Sequence, residues 1–384
     1  MANIGKDGEL DDRVRLKLGG VETKNFESYS VSTAVLTQPS AFSVRLGSSE
    51  VAAKFFQKYP PRTAFQLMIG DLAQFTGETD GFQGTGSATS TSITLKGRDL
   101  LARLHDADVT ADTPYAEVTY EDMVKAAMKE VGLGDRLLIV GNAVSREAKV
   151  GRKISGTEPQ VSSLVTQTVG AGGLVRQSVR AKMGETWLNF CLRHLESVGL
   201  FLWTDFEGNL VLSKPNPNQK PSYRFIREVG SRTNRVNITD WSFNNDTTHR
   251  FSEIVTWGRA PGRGKGRGKI KGDLDDAEMI EWGYDRPKVF HDSDITNGQS
   301  AIALAKRRMG EANRAGWQLT YTFQGHTVPS IDGRSRVVVA PDTVAQVQDD
   351  ELGINEPLYI ESVEYHCPPT QTVVTMMRLK DVVF

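Results

Sequence analysis

The sequence is short of the residues that build covalent frameworks and membrane spans. It has two cysteines, Cys191 and Cys367, in 384 residues, too few for a disulfide framework. That usage predicts folding in a reducing cytoplasm. No apolar run approaches the roughly 18 residues that a spanning helix needs, so no membrane insertion is expected. The first dozen residues are polar and charged, unlike a secretory signal. An excess of one charge is missing too. The chain has 46 basic and 47 acidic side chains, a formal net charge of −1. No global field therefore draws it to nucleic acid or to an anionic membrane, and any such contact must come from a local patch.

Signatures of catalysis are equally scarce. The histidines (His105, His194, His249, His291, His326 and His366) are scattered, and no pair has the i, i+4 spacing of a helical metal site. His194 follows Cys191 by three residues and His366 adjoins Cys367, yet neither pair brings enough ligands for zinc. No metal or cofactor is expected. There is no Gly-x-Ser-x-Gly elbow, and the glycine-rich run at 262–268 lacks the spacing of a phosphate-binding loop. His105, Asp106 and Asp108 lie close together, but a solvated helix end explains them better than an acid/base pair. An enzyme needs convergent polar groups, and the sequence predicts none.

What is present suits a strand-rich, loop-rich protein: 39% hydrophobic residues and 36 glycines. Residues 1–20 read as a polar, flexible arm. Over 21–108, short alternating runs such as Phe42-Ser-Val-Arg-Leu and Phe65, Leu67, Ile69 are split by turn signals, among them Gly70-Asp71. They predict a first small antiparallel barrel, closed by a helix from Leu100. Residues 109–173 change character. Thr119-Tyr-Glu-Asp122 resembles a capping box, Met123, Val124, Ala127 and Met128 form a helical stripe, and Leu137–Val140 reads as a buried strand. Residues 146–173 have weak periodicity and read as an irregular insertion.

The stretch 183–213 is the clearest packing unit. Thr186 or Glu185 can start a helix. Trp187, Phe190, Cys191 and Leu195 line one side of it, and Gly199 ends it. Two apolar strands around the turn Asp205–Asn209 follow. Cys191 reads as a small buried hydrophobe. Lys214–Pro221, with three prolines in eight residues, reads as a linker that ends the 174–221 module. From 222 to 384, strands resume, interrupted by a helix that Gly316 stops, and predict a second barrel. The expected fold class is α+β: two tube-like antiparallel barrels, each with a helix, and small α/β modules between them.

The sharpest local feature is Arg259-Ala-Pro-Gly-Arg-Gly-Lys-Gly-Arg-Gly-Lys-Ile-Lys271. Arg259, Arg263, Lys265, Arg267, Lys269 and Lys271 put six basic residues there and no acidic one. Alternating glycines remove any helix or strand preference, so the run reads as a flexible basic loop. An acidic run, Asp273 to Glu281, follows it. One reading is a hairpin tip balanced by its own acidic flank. The other is a contact with phosphate or with an acidic protein surface. The loop lacks aromatics for base stacking, which leaves only sequence-independent phosphate contact.

Four segments together resemble the baseplate hub proteins of contractile-tailed phages, the tail protein D or Mu-type hub family. They are Phe75-Thr-Gly77 with Ile93-Thr-Leu-Lys-Gly-Arg-Asp, Tyr120-Glu-Asp-Met-Val, Gly184-Glu-Thr-Trp through Gly208-Asn-Leu-Val-Leu, and Arg307-Arg-Met through Gln324-Gly-His326. Their order over residues 25–380 matches the family. The basic loop and the 146–173 stretch depart from its pattern. The resemblance implies a structural homotrimer, not an enzyme, whose six barrels form a ring around the tail channel in the virion baseplate. It implies the central spike, the tail tube or tube initiator, the tape measure protein and other baseplate proteins as partners. Transient contact with DNA in the channel is also implied. A tail-associated cell-wall hydrolase, or a DNA-contacting tail protein using the basic loop, is the alternative. If 183–213 is a packing module, Trp187→Ala lowers the thermal midpoint or blocks assembly and removes no catalytic step. Melting curves and particle assembly check this.

Overall fold

The computed structural model describes residues 13–23, 26–36, 39–47, 59–87, 91–115, 119–134, 138–140, 179–196, 199–228, 238–259, 269–292, 295, 298–333 and 335–382. Its N-terminal part holds seven strands: β1 (Val14–Leu18), β2 (Val21–Thr23), β3 (Ser28–Ala34), β4 (Ala41–Gly47), β5 (Ala64–Ile69), β6 (Leu72–Gly86) and β7 (Thr91–Arg98). They pair antiparallel in the order β3-β4-β7-β6-β5-β1-β2. The expected arm at 1–20 needs correcting, because Val14, Leu16 and Leu18 alternate with Arg15 and Lys17 and build β1 against β5. Residues 1–12 lie outside the described residues. Gly97 shows why a side chain is excluded in the middle of β7. A Cβ there would sit 2.0 Å from the Glu78 carbonyl and 2.5 Å from the Phe42 ring. With glycine in place, Phe42 stacks on Phe65 at 3.7 Å and meets Phe75 edge-on.

Next come α1 (Leu101–Asp106), β8 (Thr113–Tyr115), α2 (Tyr120–Glu130), β9 (Leu138–Val140), β10 (Val179–Ala181), α3 (Trp187–Glu196), β11 (Phe201–Thr204) and β12 (Leu210–Ser213). The capping box is formed: the Thr119 hydroxyl accepts from the Asp122 amide at 3.0 Å and Asp122 reaches back. Thr186 caps α3 through the Asn189 amide at 3.1 Å. Gly199, at φ +67°, ends that helix. Asp205 accepts from the Glu207 and Asn209 amides, both at 2.9 Å, and shapes the hairpin turn. The two helix-strand units are not independent. β9 and β12 pair in parallel, and α1, α2 and α3 share one core with Phe190 and Cys191 at its centre. Burial pushes the Cys191 thiol up to about 12. The insertion at 146–173 lies outside the described residues.

The C-terminal part contains β13 (Tyr223–Arg227), β14 (Ile238–Asn245), β15 (Glu253–Arg259), β16 (Lys269–Asp275), α4 (Ala277–Glu281), β17 (Pro287–His291), α5 (Gly298–Gly316), β18 (Trp317–Gln324), β19 (Thr327–Pro329), β20 (Arg336–Val338), β21 (Thr343–Asp349), β22 (Ile354–Cys367) and β23 (Gln371–Arg378). Six of these run in the order β13-β21-β22-β23-β18-β14. β13 and β14 meet through side chains, with the Arg227 guanidinium 4.4 Å from the Trp241 ring centre. The expected linker Lys214–Pro221 is anchored here: Asn216 donates its amide to Asp342 at 3.1 Å, and the Gln219 side chain bonds the Asp342 carbonyl. The fold class is α+β, as expected, with most strands antiparallel.

The two β-rich parts are one sheet. Long strand β22 changes partner at a bulge between Ile360 and Ser362. Before the bulge it pairs with β21, and after it Ser362–Cys367 pairs with β3. Thirteen strands thus join, over one core running from Leu16 to Met376. At this seam the buried His326 bridges Tyr29 of β3 (2.6 Å) and Thr372 of β23 (2.8 Å). Thr372 spends its proton on the Gly325 carbonyl. His326 therefore donates through Nδ1 to Thr372 and accepts the Tyr29 hydroxyl at Nε2.

Burial holds the His326 imidazole neutral, down at about 4 against an ordinary 6.5. As pH falls through 6.5 the unfolded chain takes up a proton and the folded chain does not, so stability is lost between about 6.5 and 4. The loss at this one residue reaches up to about 3 kcal/mol. Urea unfolding at pH 7 and pH 4.5 should show a smaller acid loss in His326→Gln than in the native chain.

Candidate functional site

The predicted basic site falls on a β-hairpin. Arg259 is the last residue of β15 and Lys269 the first of β16, and the two face each other in register. Lys271 stands opposite Trp257, 3.5 Å from Asp273. Arg259 and Lys271 are exposed. Arg263, Lys265 and Arg267 lie outside the described residues, as do the other residues of 260–268. β17 adds to β15 in parallel, which makes a three-stranded sheet, and α5 packs across it. That packing is close. A Cβ on Gly272 would meet the Ala301 backbone at 2.5 Å, and the Thr256 hydroxyl donates to the Ala301 carbonyl at 2.6 Å. The strands β15 and β16 are therefore firmly held against α5.

The acidic run after the loop does more than balance its charge. Asp276 caps α4, accepting from the Glu278 and Met279 amides. It also accepts from Arg250, which is 1% exposed, at 2.7 Å. Arg250 reaches Glu278 as well, at 2.8 Å. Glu278 in turn receives both Nη atoms of Arg378, each at 3.0 Å, and Lys380 at 3.3 Å. Arg378 continues to Asp381 at 2.6 Å. Burial would raise the Glu278 carboxyl, but Arg378 and Arg250 outweigh it and hold the group down at about 2. This chain of charges ties α4, and the hairpin sheet with it, to the end of β23. Sequence reasoning did not find Arg250. It sits in the polar run Asn-Asn-Asp-Thr-Thr-His-Arg, which carries no sign of burial.

A cleft lies where the two β-rich parts meet the β11/β12 hairpin, lined by Gln74, Asp99, Trp203, Phe206, Asp342 and Tyr365 among others. Asp99 accepts from the Ser40 amide (2.8 Å), the Leu101 amide (3.0 Å) and the Thr204 hydroxyl. Asp342 accepts from Tyr359 at 2.9 Å. Burial raises each carboxyl to about 6, against the hydrogen bonds that lower it. Their bonds make them joints between parts of the fold.

The remaining sequence candidates are separate. His105 bonds Asp106 at 2.9 Å on the surface, and hydrogen bonds from Arg98 hold Asp106 at about 2. Asp108 pairs with Thr186 by a backbone bridge. His366 meets Glu364 at 3.2 Å. Among the described residues, no three side chains of metal-ligating type come together.

No protein-family model matches this sequence, and no curated protein does. Solved structures do share its fold. A 43 kDa tail protein of prophage MuSo2 from Shewanella oneidensis superposes with a TM-score of 0.71 at 19% identity, over 96% of this chain and 99% of that one. A tail protein from Neisseria meningitidis MC58 gives 0.70 at 21% identity, over 94% and 95%. The Escherichia coli c3393 protein gives 0.53 at 11% identity, over 94% and 76%. It is a type VI secretion component described as structurally similar to the T4 phage tail proteins gp27 and gp5. The fold is that of phage tail proteins. The resemblance drawn from the sequence is borne out at that level.

If Arg250 holds α4 in place, Arg250→Met strands the buried Asp276 without its cationic partner, leaves Glu278 to Arg378 and Lys380, and costs about 3 kcal/mol. Hydrogen exchange should then quicken over 269–292 while the β3–β22 seam stays protected.

Proposed function

We propose that this chain is a structural subunit of a contractile phage tail, the baseplate hub. In this reading three copies form a pseudo-sixfold ring that joins the sixfold tail tube to the threefold central spike and surrounds the tail channel. The two β-rich regions, 14–108 with the strand β1 included and 222–384, are the ring-forming units, and 109–173 with 174–221 are the modules between them. The chain assembles in the host cytoplasm and resides in the virion baseplate. Its partners are further copies of itself, the spike, the tube or its initiator, the tape measure protein and neighbouring baseplate proteins.

One observation carries the reading. A single chain brings two β-rich parts of six and seven strands, fused edge to edge through β3 and β22. Three copies supply six such parts, which fits a ring that must face sixfold symmetry on one side and threefold on the other. The likeness to prophage tail proteins along nearly the whole chain supports the same reading. The well-formed polar groups tie parts of the fold together, which suits a structural role better than a catalytic one.

Native mass spectrometry of the purified chain tests it. The expected result is a particle of three chain masses with threefold averages in electron micrographs. A single chain mass at micromolar concentration would remove the ring.

A further inference from the structure

Among the described residues six acidic side chains are buried, and four of them have an arginine beside them. Asp276 has Arg250, Asp349 has Arg227, Asp381 has Arg378, and Glu361 has Arg314. The other two, Asp99 and Asp342, have no cation among the described residues. Both line the same cleft, which opens to the surface where the two β-rich parts meet the β11/β12 hairpin. Asp342 is 7% exposed. It takes the Asn216 amide and the Tyr359 hydroxyl on one oxygen, Oδ1. Among the described residues its Oδ2 meets no donor.

A second buried group in the cleft lacks a donor. Gln74 is 2% exposed and lines it. Its amide nitrogen donates to the Leu72 carbonyl at 3.1 Å. Its Oε1 lies 3.4 Å from the Tyr365 hydroxyl, but that hydroxyl has a single proton and gives it to the Val339 carbonyl at 2.6 Å. The cleft thus offers two unused acceptors, one of them charged, and a buried acceptor without a donor is costly. The β11/β12 hairpin adds Trp203 and Phe206, aromatic surfaces that favour a flat cation. The cavity measures about 70 Å³. At about 15 Å³ for a water-sized group, that is room for about five non-hydrogen atoms. A guanidinium head, one carbon and three nitrogens, fits that space.

Independently of the ring reading above, we infer that this cleft receives the guanidinium head of an arginine carried by a second protein chain. The head donates to Oδ2 of Asp342 and to Oε1 of Gln74, and its flat face lies on the aromatic wall. Four buried carboxylates take their arginine from within the chain, and Asp342 takes one of the same charge and shape from a partner. Burial leaves the Asp342 carboxyl at about 6, so at pH 7.5 it is a carboxylate ready to pair. Asp99 adds a second negative charge to the same cleft.

Ligand-observed NMR titrations of the full chain at pH 7.5 test this with methylguanidinium, N-acetyl-arginine amide and N-acetyl-lysine amide. Both guanidinium probes should saturate with dissociation constants below about 10 mM. The lysine probe should bind about tenfold or more weakly, since a compact ammonium does not span both acceptors and stack as well. Asp342→Asn keeps the shape and the Oδ1 acceptor but replaces Oδ2 with a donor, and should weaken the arginine probe about tenfold or more. Gln74→Met should weaken it about threefold or more. Circular dichroism checks that both variants are folded. If Asp342→Asn does not fold, the contrast among probes on the native chain and the Gln74→Met titration decide the matter. No saturation by the arginine probe, equal binding of the lysine probe, or unchanged binding in the folded variants overturns the site. Saturation by methylguanidinium alone assigns the cleft to a small guanidino compound and overturns the partner chain.

Discussion

The pairing of Ser28–Ala34 with Ser362–Cys367 is the constraint on which the rest of the molecule depends. It brings together segments more than 300 residues apart in sequence and makes one sheet of two β-rich parts. Its ladder bonds are reinforced by side chains that cross the joint. Tyr29 and Thr372 hold the neutral His326 between them, and the Tyr365 hydroxyl, bonded to the Val339 carbonyl at 2.6 Å, lies 3.4 Å from the Gln74 side chain of β6. The bulge at Glu361 lets one strand serve two partners in turn. Arg314 lies 3.6 Å from that buried carboxylate and offsets its charge. The halves cannot rotate freely about a hinge, because a continuous ladder and a common core oppose it. A rigid double unit is what a ring with two units per subunit requires.

The helical module packs as a second layer of organisation. Its two helix-strand units share one core, and the Thr204 hydroxyl reaches Asp99 beside β7. A buried aspartate serving three donors is costly when charged and more costly to remove, since its donors would be left unpaired. Asp342 plays a similar part by holding Asn216 and Tyr359. The parts of the chain are thus joined by strands, buried carboxylates and arginines. The Arg250 and Arg378 cluster does the same for the hairpin sheet.

Local order was legible in the sequence wherever a short segment states its own structure. The Thr119 cap, the α3 stripe from Trp187 to Leu195, Gly199 and the Asp205–Asn209 turn formed as read. The resemblance to tail proteins rested on such segments, and Gly97 shows one physical reason for them: a ring packs on the strand. What the sequence hid was long-range. Nothing near Ser28 announces a partner at Ser362. Strand β21 is hard to read in the sequence because Gln346, Gln348 and Asp349 break its apolar run, and Asp349 is buried through Arg227 at 2.8 Å and Tyr321 at 2.5 Å. Val14–Leu18 was read as an arm because its polar neighbours mask three alternating core residues. The basic run 259–271 was legible as charge. Its base, the α5-packed sheet, was not, because it depends on packing.

An electron cryomicroscopy map of the assembled tail bears most directly on the central claim. The account predicts three copies of this chain in a closed ring between tube and spike, with its six β-rich parts around the channel. Density for the chain outside that ring, or in a number other than three, would contradict it.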